Sequence, residues 1–442
     1  MNRKDRFIRL QILLCTLTCL LAVSAGSAGA QSYFATSPPY GRIVREIRIR
    51  GLVRTPESTV ARILASKVGE PYTKDTEDRD RRRLARMRLF ATVQADPVIV
   101  GEEVFLTLNI RELPRFVPYP RMSWNNTNGI SGGLGGRLTH FPGRALFLSG
   151  SAMLGGMTHV DAALETPWGA TGEKSYALKY DYYDRRDQYD IHRENSHELE
   201  GRFGVNLHPE WMLSARGGYL SLGSDTPGMT LSPDGRDHTP YFGAMLEFDR
   251  RDSVSVPRNG WMGIFDVTQN GGFLGGDGDF VTAQVDLRRY QPLAPRHGLV
   301  LFTLASLQSG RVGGEIPAYR DFHIGGTNSV RGWNWGARTG KNQFLNTIEY
   351  RYELLPPRFF RVREYSLHYG LQLAAFADLG TAWSRGEDFT RNMIGGAGVG
   401  IRFLVPFLDI IRLDFGFGQA GARIQPHLHL YEKAHYSRKR IR

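Results

Sequence analysis

The stretch GGTNSVRGWNWG, Gly325–Gly336, places Arg331 between Val330 and Gly332, follows it with Trp333 and Trp335, and frames the group with glycine. Glycine at that density marks backbone that bends sharply or lies close against another surface. A guanidinium at such a tip is suited to a planar, two-pronged ion pair with a carboxylate. Other residues that could do chemistry read as structural. His192 and His197 in DIHRENSHELE have no metal-type partners at informative spacing and are expected to be solvated. GGDGDF (Gly275–Phe280) offers Asp277 and Asp279 to a cation but has the composition of a hairpin turn. GGLGGRL (Gly132–Leu138) is not followed by a helix, so it is not a phosphate loop. No Ser-His-Asp arrangement can be argued, and the expectation is a protein with no enzymatic activity, metal or cofactor.

The elements that must position the arginine follow from the periodicity. Residues 1–30 carry Arg3, Lys4, Arg6 and Arg9 before an apolar run and a small-residue site at Ala28-Gly29-Ala30, the pattern of a secretory signal peptide. Both cysteines, Cys15 and Cys19, lie in that run, so the mature chain is expected to contain no disulfide. The leader holds four basic residues and Asp5, so its removal lowers the formal charge from +12 to +9. For an exported chain that charge points to lipid headgroups or a polar pore rather than nucleic acid.

Residues 42–113 read as a small βααββ module. Ile47 and Ile49 alternate with charged residues in a strand, and Thr55-Pro56 is expected to cap a helix with Val60, Ile63 and Leu64 on one face. Thr73 starts a second helix with Asp75 and Glu77 in its first turn, and Val104, Leu106, Leu108 and Ile110 alternate in the last strand. From residue 114 to 442 the pattern becomes two-residue alternation broken by Gly, Pro, Asn and Asp. Tyr176, Leu178, Tyr180 and Tyr182 share one face; so do Val281, Ala283, Val285 and Leu287, and Ile411, Leu413, Phe415 and Phe417. After residue 30 no apolar run is long enough for a membrane helix. With 51 glycines, 24 Phe, 19 Tyr and 7 Trp, the composition suits a closed transmembrane sheet with aromatic girdles.

The module resembles a polypeptide-transport-associated (POTRA) domain, including GEPY (Gly69–Tyr72) and RLFATV (Arg88–Val93). FHIGGTNSVRGWNWG (Phe322–Gly336) is similar to the signature loop of the BamA-type outer-membrane assembly and secretion superfamily, the bacterial surface antigen family. Val330, Arg331, Gly332 and Trp333 match its Val-Arg-Gly-aromatic tip. FDRRDSVSVPRNGW (Phe248–Trp261), FADLG (Phe376–Gly380) and GAGVGIRFLVPF (Gly396–Phe407) match in the family's order. The resemblance implies a membrane all-β fold: one POTRA-like domain in the periplasm, then a sixteen-stranded antiparallel transmembrane β-barrel in the bacterial outer membrane whose signature loop folds into the lumen.

On that fold, alternation points Asp378 and Glu349 to the lumen beside a glycine track, Gly396, Gly398 and Gly400. Arg331 is therefore expected to pair with Asp378, with Glu349 as second candidate. The implied function is assisted insertion, assembly or translocation of other polypeptides, the POTRA capturing clients. Expected partners are outer-membrane lipids, unfolded or partly folded client polypeptides and periplasmic accessory proteins, and not nucleic acid. The competing expectation is a passive pore or structural barrel, which the single POTRA favours. The ten residues Gln31–Tyr40 leave room for only one such module, and the chain runs past Tyr436 into SRKRIR.

Overall fold

A computed structural model describes residues 38–125, 127–141, 146–166, 174–187, 192–254, 256–311, 313–362, 365–405, 409–418 and 425–429. The signal peptide, the tail Ser437–Arg442 and the end of GAGVGIRFLVPF at Pro406 and Phe407 lie outside the described residues. Residues Tyr40–Arg442 fall in one compact unit.

The N-terminal module has the expected order, β1 (Ile43–Arg50), α1 (Glu57–Ile63), α2 (Lys74–Arg86), β2 (Phe90–Val100) and β3 (Glu103–Glu112). Its sheet runs β1-β3-β2, with β1 parallel and β2 antiparallel to β3. The helix α2 starts at a capping box in which Thr73 and Thr76 each accept from the other's amide, at 3.1 and 3.0 Å. Asp75 and Glu77 in its first turn and Arg83 and Arg86 in its last suit the helix dipole. Val60, Leu84, Met87 and Leu89 pack on the Val104–Ile110 face of β3, and Phe147 of β6 and Tyr40 join this core from outside residues 42–113.

The first helix departs from expectation. Thr55 does not cap α1, whose N-cap is Pro56 without a side-chain bond. Instead the Thr55 hydroxyl lies 2.9 Å from His140 Nε2, in the turn after β5 (Gly129–Leu138), and the Thr55 amide donates to Glu112 at 2.7 Å. The competing partners are buried, so they take the hydroxyl from the helix end.

The rest of the chain is one antiparallel sheet that follows chain order, with sixteen strands among the described residues. It begins with β4 (Phe116–Asn125), β5, β6 (Phe147–Gly155), β7 (Thr158–Glu165), β8 (Lys174–Arg186) and β9 (Arg193–His208). It continues with β10 (Trp211–Ser224), β11 (Arg236–Asp249), β12 (Gly260–Gly271), β13 (Asp279–Ala294) and β14 (His297–Ser309). A separate hairpin, β15 (Phe322–Ile324) and β16 (Arg338–Gly340), intervenes. The sheet then resumes with β17 (Asn342–Val362), β18 (Tyr365–Trp383), β19 (Ile394–Val405), β20 (Asp409–Phe417) and β21 (Gln425–His429). No ladder between β4 and β21 occurs among the described residues.

The two faces of this sheet are inverted relative to a water-soluble one. Leu134 is 75% exposed and Val399 56%, whereas Arg402 and Asp414 are 1% and 0% exposed. Apolar side chains turned outward and charges covered is the arrangement that lipid outside and polar groups inside demand.

Two tests follow. The core of residues 42–113 is nearly self-contained, so this segment expressed alone should give a folded monomer by circular dichroism and size exclusion; an unfolded product would move the boundary. The junction carries a pH dependence. Burial pushes the Glu112 carboxyl up, but the Thr55 hydroxyl and the Thr55 and Arg54 amides outweigh it and hold it below 4.5. Burial pushes the His140 imidazole below 6.5 against the opposing charge of Glu112. Both groups bind protons more weakly folded than unfolded, so stability falls as pH drops below the histidine value and then through the lowered Glu112 value. Protection of the Thr55 amide, corrected for intrinsic exchange, should fall on acidification, and Glu112→Gln should cost about 1.5–3 kcal/mol. Protection independent of pH would dissociate these groups from the junction.

Candidate functional site

The loop between β15 and β16 lies on the covered, polar face of the sheet. Gly325, Gly326, Gly332 and Gly336 all have positive φ, which the sharp turns require. Val330 is fully buried with Leu304, Ile324, Leu345, Ala382 and Ile394. At Gly332 two constraints meet: φ is +88°, and a Cβ would press on the backbone of Phe417 and Gly418.

Arg331, 3% exposed, reaches carboxylates on three strands. Its Nε and Nη2 donate to Asp378 Oδ2 and Oδ1 at 2.7 and 2.8 Å, and its amide donates to Oδ2 at 3.1 Å. Its Nη1 donates to Glu349 Oε2 at 3.0 Å and to Asp414 Oδ2 at 3.2 Å. The guanidinium carbon lies 3.4 Å from the Phe376 ring centroid, a cation–π contact strengthened by exclusion of water. The Thr347 hydroxyl donates to Asp378 Oδ1 at 2.9 Å. Both expected carboxylates therefore meet the arginine, Asp378 through the two-pronged pair.

Two residues were not anticipated as members of this cluster. Asp414 is one; Arg402, which bonds Glu349 at 2.7 Å and Asp414, is the other. Arg351 donates to Glu349 at 2.7 Å, and Arg412 lies 3.4 Å from Asp414. Three carboxylates thus face four guanidiniums, so no carboxylate is left without a cation, the condition under which such burial is tolerated. The alternation that turns Gly396, Gly398 and Gly400 inward puts Arg402 on the same face, and Asp414 falls opposite Ile411, Leu413 and Phe415. Nothing in strand spacing says how many strands a loop spans, so the pattern did not join them to Arg331.

The glycine track is the floor of the site. A Cβ at Gly396 would fall on the Arg331 carbonyl oxygen, at Gly398 on the Phe415 carbonyl and the Phe376 ring, and at Gly400 on the Asp414 carboxylate. Gly416 plays the same part opposite, against the Gly332 amide. The Trp333 indole donates to the Gly395 carbonyl at 2.8 Å, and Arg412 donates to Thr327 O at 3.0 Å. Chemically the arrangement is an anchor for a loop in which every carboxylate is paired.

A second arginine repeats the device near the other sheet edge. Arg121 on β4 sits opposite Gly133 of β5, and Ser151 on β6 and Asp161 on β7 both accept from it. Its Nη2 is 3.1 Å from His159 Nδ1, whose Nε2 is 3.1 Å from Asp181. GGLGGRL is the strand it crosses. The remaining sequence candidates are placed differently. His192 is buried beside Glu194 (3.6 Å) rather than solvated, and His197 faces outward against the Tyr182 ring and the Tyr180 hydroxyl. Asp277 and Asp279 accept from the His238 amide and the Gln269 side chain, at 2.7 and 2.9 Å, within the hairpin turn.

A POTRA-like module followed by a large antiparallel sheet with a polar, loop-filled inner face defines a class of outer-membrane β-barrel protein. Residues 141–430 match the Omp85 superfamily domain, and residues 43–113 match the POTRA family model described as a surface antigen variable number repeat. The chain belongs to the Omp85 superfamily, which places it in the bacterial outer membrane with the POTRA domain in the periplasm. The outer membrane protein assembly factor BamA of Nitratidesulfovibrio vulgaris is 24% identical over 413 residues, covering 85% of this chain. This chain spans 48% of that relative's length. The crystal structure of Haemophilus ducreyi BamA lacking POTRA domains 1–3 is similar with a TM-score of 0.56 and 15% identity, over 88% of this chain and 83% of that one. Escherichia coli CdiB gives 0.56 and 14%, over 86% and 73%.

The cluster makes a specific prediction. Arg331→Ala leaves Asp378 the residue-331 amide and the Thr347 hydroxyl but no guanidinium, and a buried pair broken on one side costs about 3–5 kcal/mol at most. Asp378→Asn should cost less, because Glu349 and Asp414 still neutralise the guanidinium. In the Arg331→Ala/Asp378→Ala cycle the defects should fall short of additive by about 0.5–3 kcal/mol, read by thermal unfolding and by protease sensitivity of the loop. Strict additivity in a folded protein would remove Asp378 as the partner.

Proposed function

We propose that β4 and β21 close the sheet into a sixteen-stranded barrel, and that this barrel assists the insertion, assembly or translocation of other polypeptides without chemical catalysis. The observation that carries the reading is the seat of the loop tip. Arg331 bonds Asp414 and Gly332 packs on Phe417 and Gly418, so the signature loop braces β20, the neighbour of the edge strand β21. That edge strand, described over Gln425–His429, contains Pro426, which lacks a ladder donor. A weak edge held by a fixed loop is a template on which an incoming strand can pair.

In this reading the POTRA captures clients by strand addition. It is supported by the sheet order β1-β3-β2, which leaves β2 at an edge, and by Val98 and Val100 there, 57% and 58% exposed. Clients, periplasmic accessory proteins and outer-membrane lipids are the proposed partners.

The test is reconstitution in liposomes with an unfolded outer-membrane client. The wild-type chain should accelerate appearance of the client's heat-modifiable folded form, and Arg331→Ala should reduce that acceleration several-fold while planar-bilayer conductance persists. Conductance with no effect of the wild type on client folding would favour a passive pore.

A further inference from the structure

The adjacent residues Arg288 and Arg289 point to opposite faces of β13. Arg288, on the covered face, is paired to Asp286 at 2.9 and 2.8 Å. Arg289 shares the outward face with Val281, Ala283, Val285 and Leu287, where no water reaches a spanning segment. The register sets Arg289 opposite Trp261 on β12 and Leu301 on β14, and Gln291 opposite Leu299, itself opposite Tyr350 on β17.

The contacts of Arg289 do not neutralise it. Its guanidinium lies over the Trp261 ring, 5.2 Å from the centroid, and donates to the Gln291 side chain. Its Nε has no hydrogen-bond partner, and no carboxylate among the described residues is within ion-pair distance. A charge with no counter-charge on a lipid-facing surface is expensive at mid-membrane and inexpensive only near the headgroups. The outward apolar run is broken at Arg289 and Gln291, and tryptophan is the residue that marks the headgroup level. The strand β4 leaves the POTRA, and β13, nine steps along the antiparallel sheet, an odd number, runs back toward it. Arg289 therefore lies at the periplasmic rim.

We propose that Arg289, Trp261 and Gln291 form a binding site for the phosphate of a glycerophospholipid headgroup in the periplasmic leaflet. The guanidinium supplies a bidentate donor and the missing counter-charge is the phosphodiester. Trp261 holds the guanidinium flat by cation–π contact, and Gln291 fixes its orientation. The acyl chains then run up the apolar strip formed by Leu287, Leu301 and Phe265. This inference rests on the barrel reading of the sheet's outer face and not on client handling.

The experiment counts phosphatidylglycerol retained on the detergent-purified full chain by native mass spectrometry during stepwise delipidation. The wild type should hold one phospholipid more than Arg289→Gln, and Arg289→Lys should hold it less persistently than the wild type. Arg288→Gln, on the other face, should retain the wild-type number. All variants are first matched for heat-modifiable migration, which tests the barrel separately. Equal retention by wild type and Arg289→Gln would overturn the proposal, as would equal loss in Arg288→Gln. Displacement of the lipid by an excess of inorganic phosphate would assign the site to a free anion and overturn the lipid reading.

Discussion

The structure depends on the neutralisation of charge that has been taken out of water. Arg331 and Arg402 are almost completely covered, as are Glu349, Asp378 and Asp414, and an isolated charge so placed would cost several kilocalories per mole. The site avoids that by interleaving: each carboxylate meets two or more donors, and each covered guanidinium meets two or more carboxylates. The loop conformation, the glycines beneath it and the position of β20 all serve this geometry.

Both arginine anchors use the same solution to a packing problem. To reach a carboxylate two or more strands away, a guanidinium must pass over intervening strands whose side chains would block it. On one side β19 is bare at Gly396, Gly398 and Gly400; on the other β5 is bare at Gly133 and Gly135. Each bare strand lies within two strands of a sheet edge. The glycines weaken the sheet where its ladder ends, and the arginines tie together the strands on either side.

The two-residue alternation made the strands and their faces legible, because the pleat forces it. It showed Asp378 and Glu349 on the face of Gly396, Gly398 and Gly400, and Leu413 and Phe415 on an apolar face. The helix start at Thr73 and the buried stripe Val104–Ile110 were equally local signals. What was not legible was distance around the sheet. Asp414 lies 83 residues from Arg331 in sequence, and no periodicity encodes that they meet. Thr55 misled for the same reason, since its partner His140 is 85 residues away. The histidines of DIHRENSHELE failed differently: burial of His192 depends on side chains of other strands, not on its own neighbours.

The wiring of the loop also ties it to parts of the chain that are synthesised after it. Arg331 precedes in the chain every carboxylate that holds it, at positions 349, 378 and 414. Loop closures over such separations are the slow, entropically opposed steps of folding. The cage around the tip is therefore complete only when β17, β18 and β20 are all in place. The last strands to be made thus set the clasp on a segment made before them, and the chain registers its own completion in the locking of that loop.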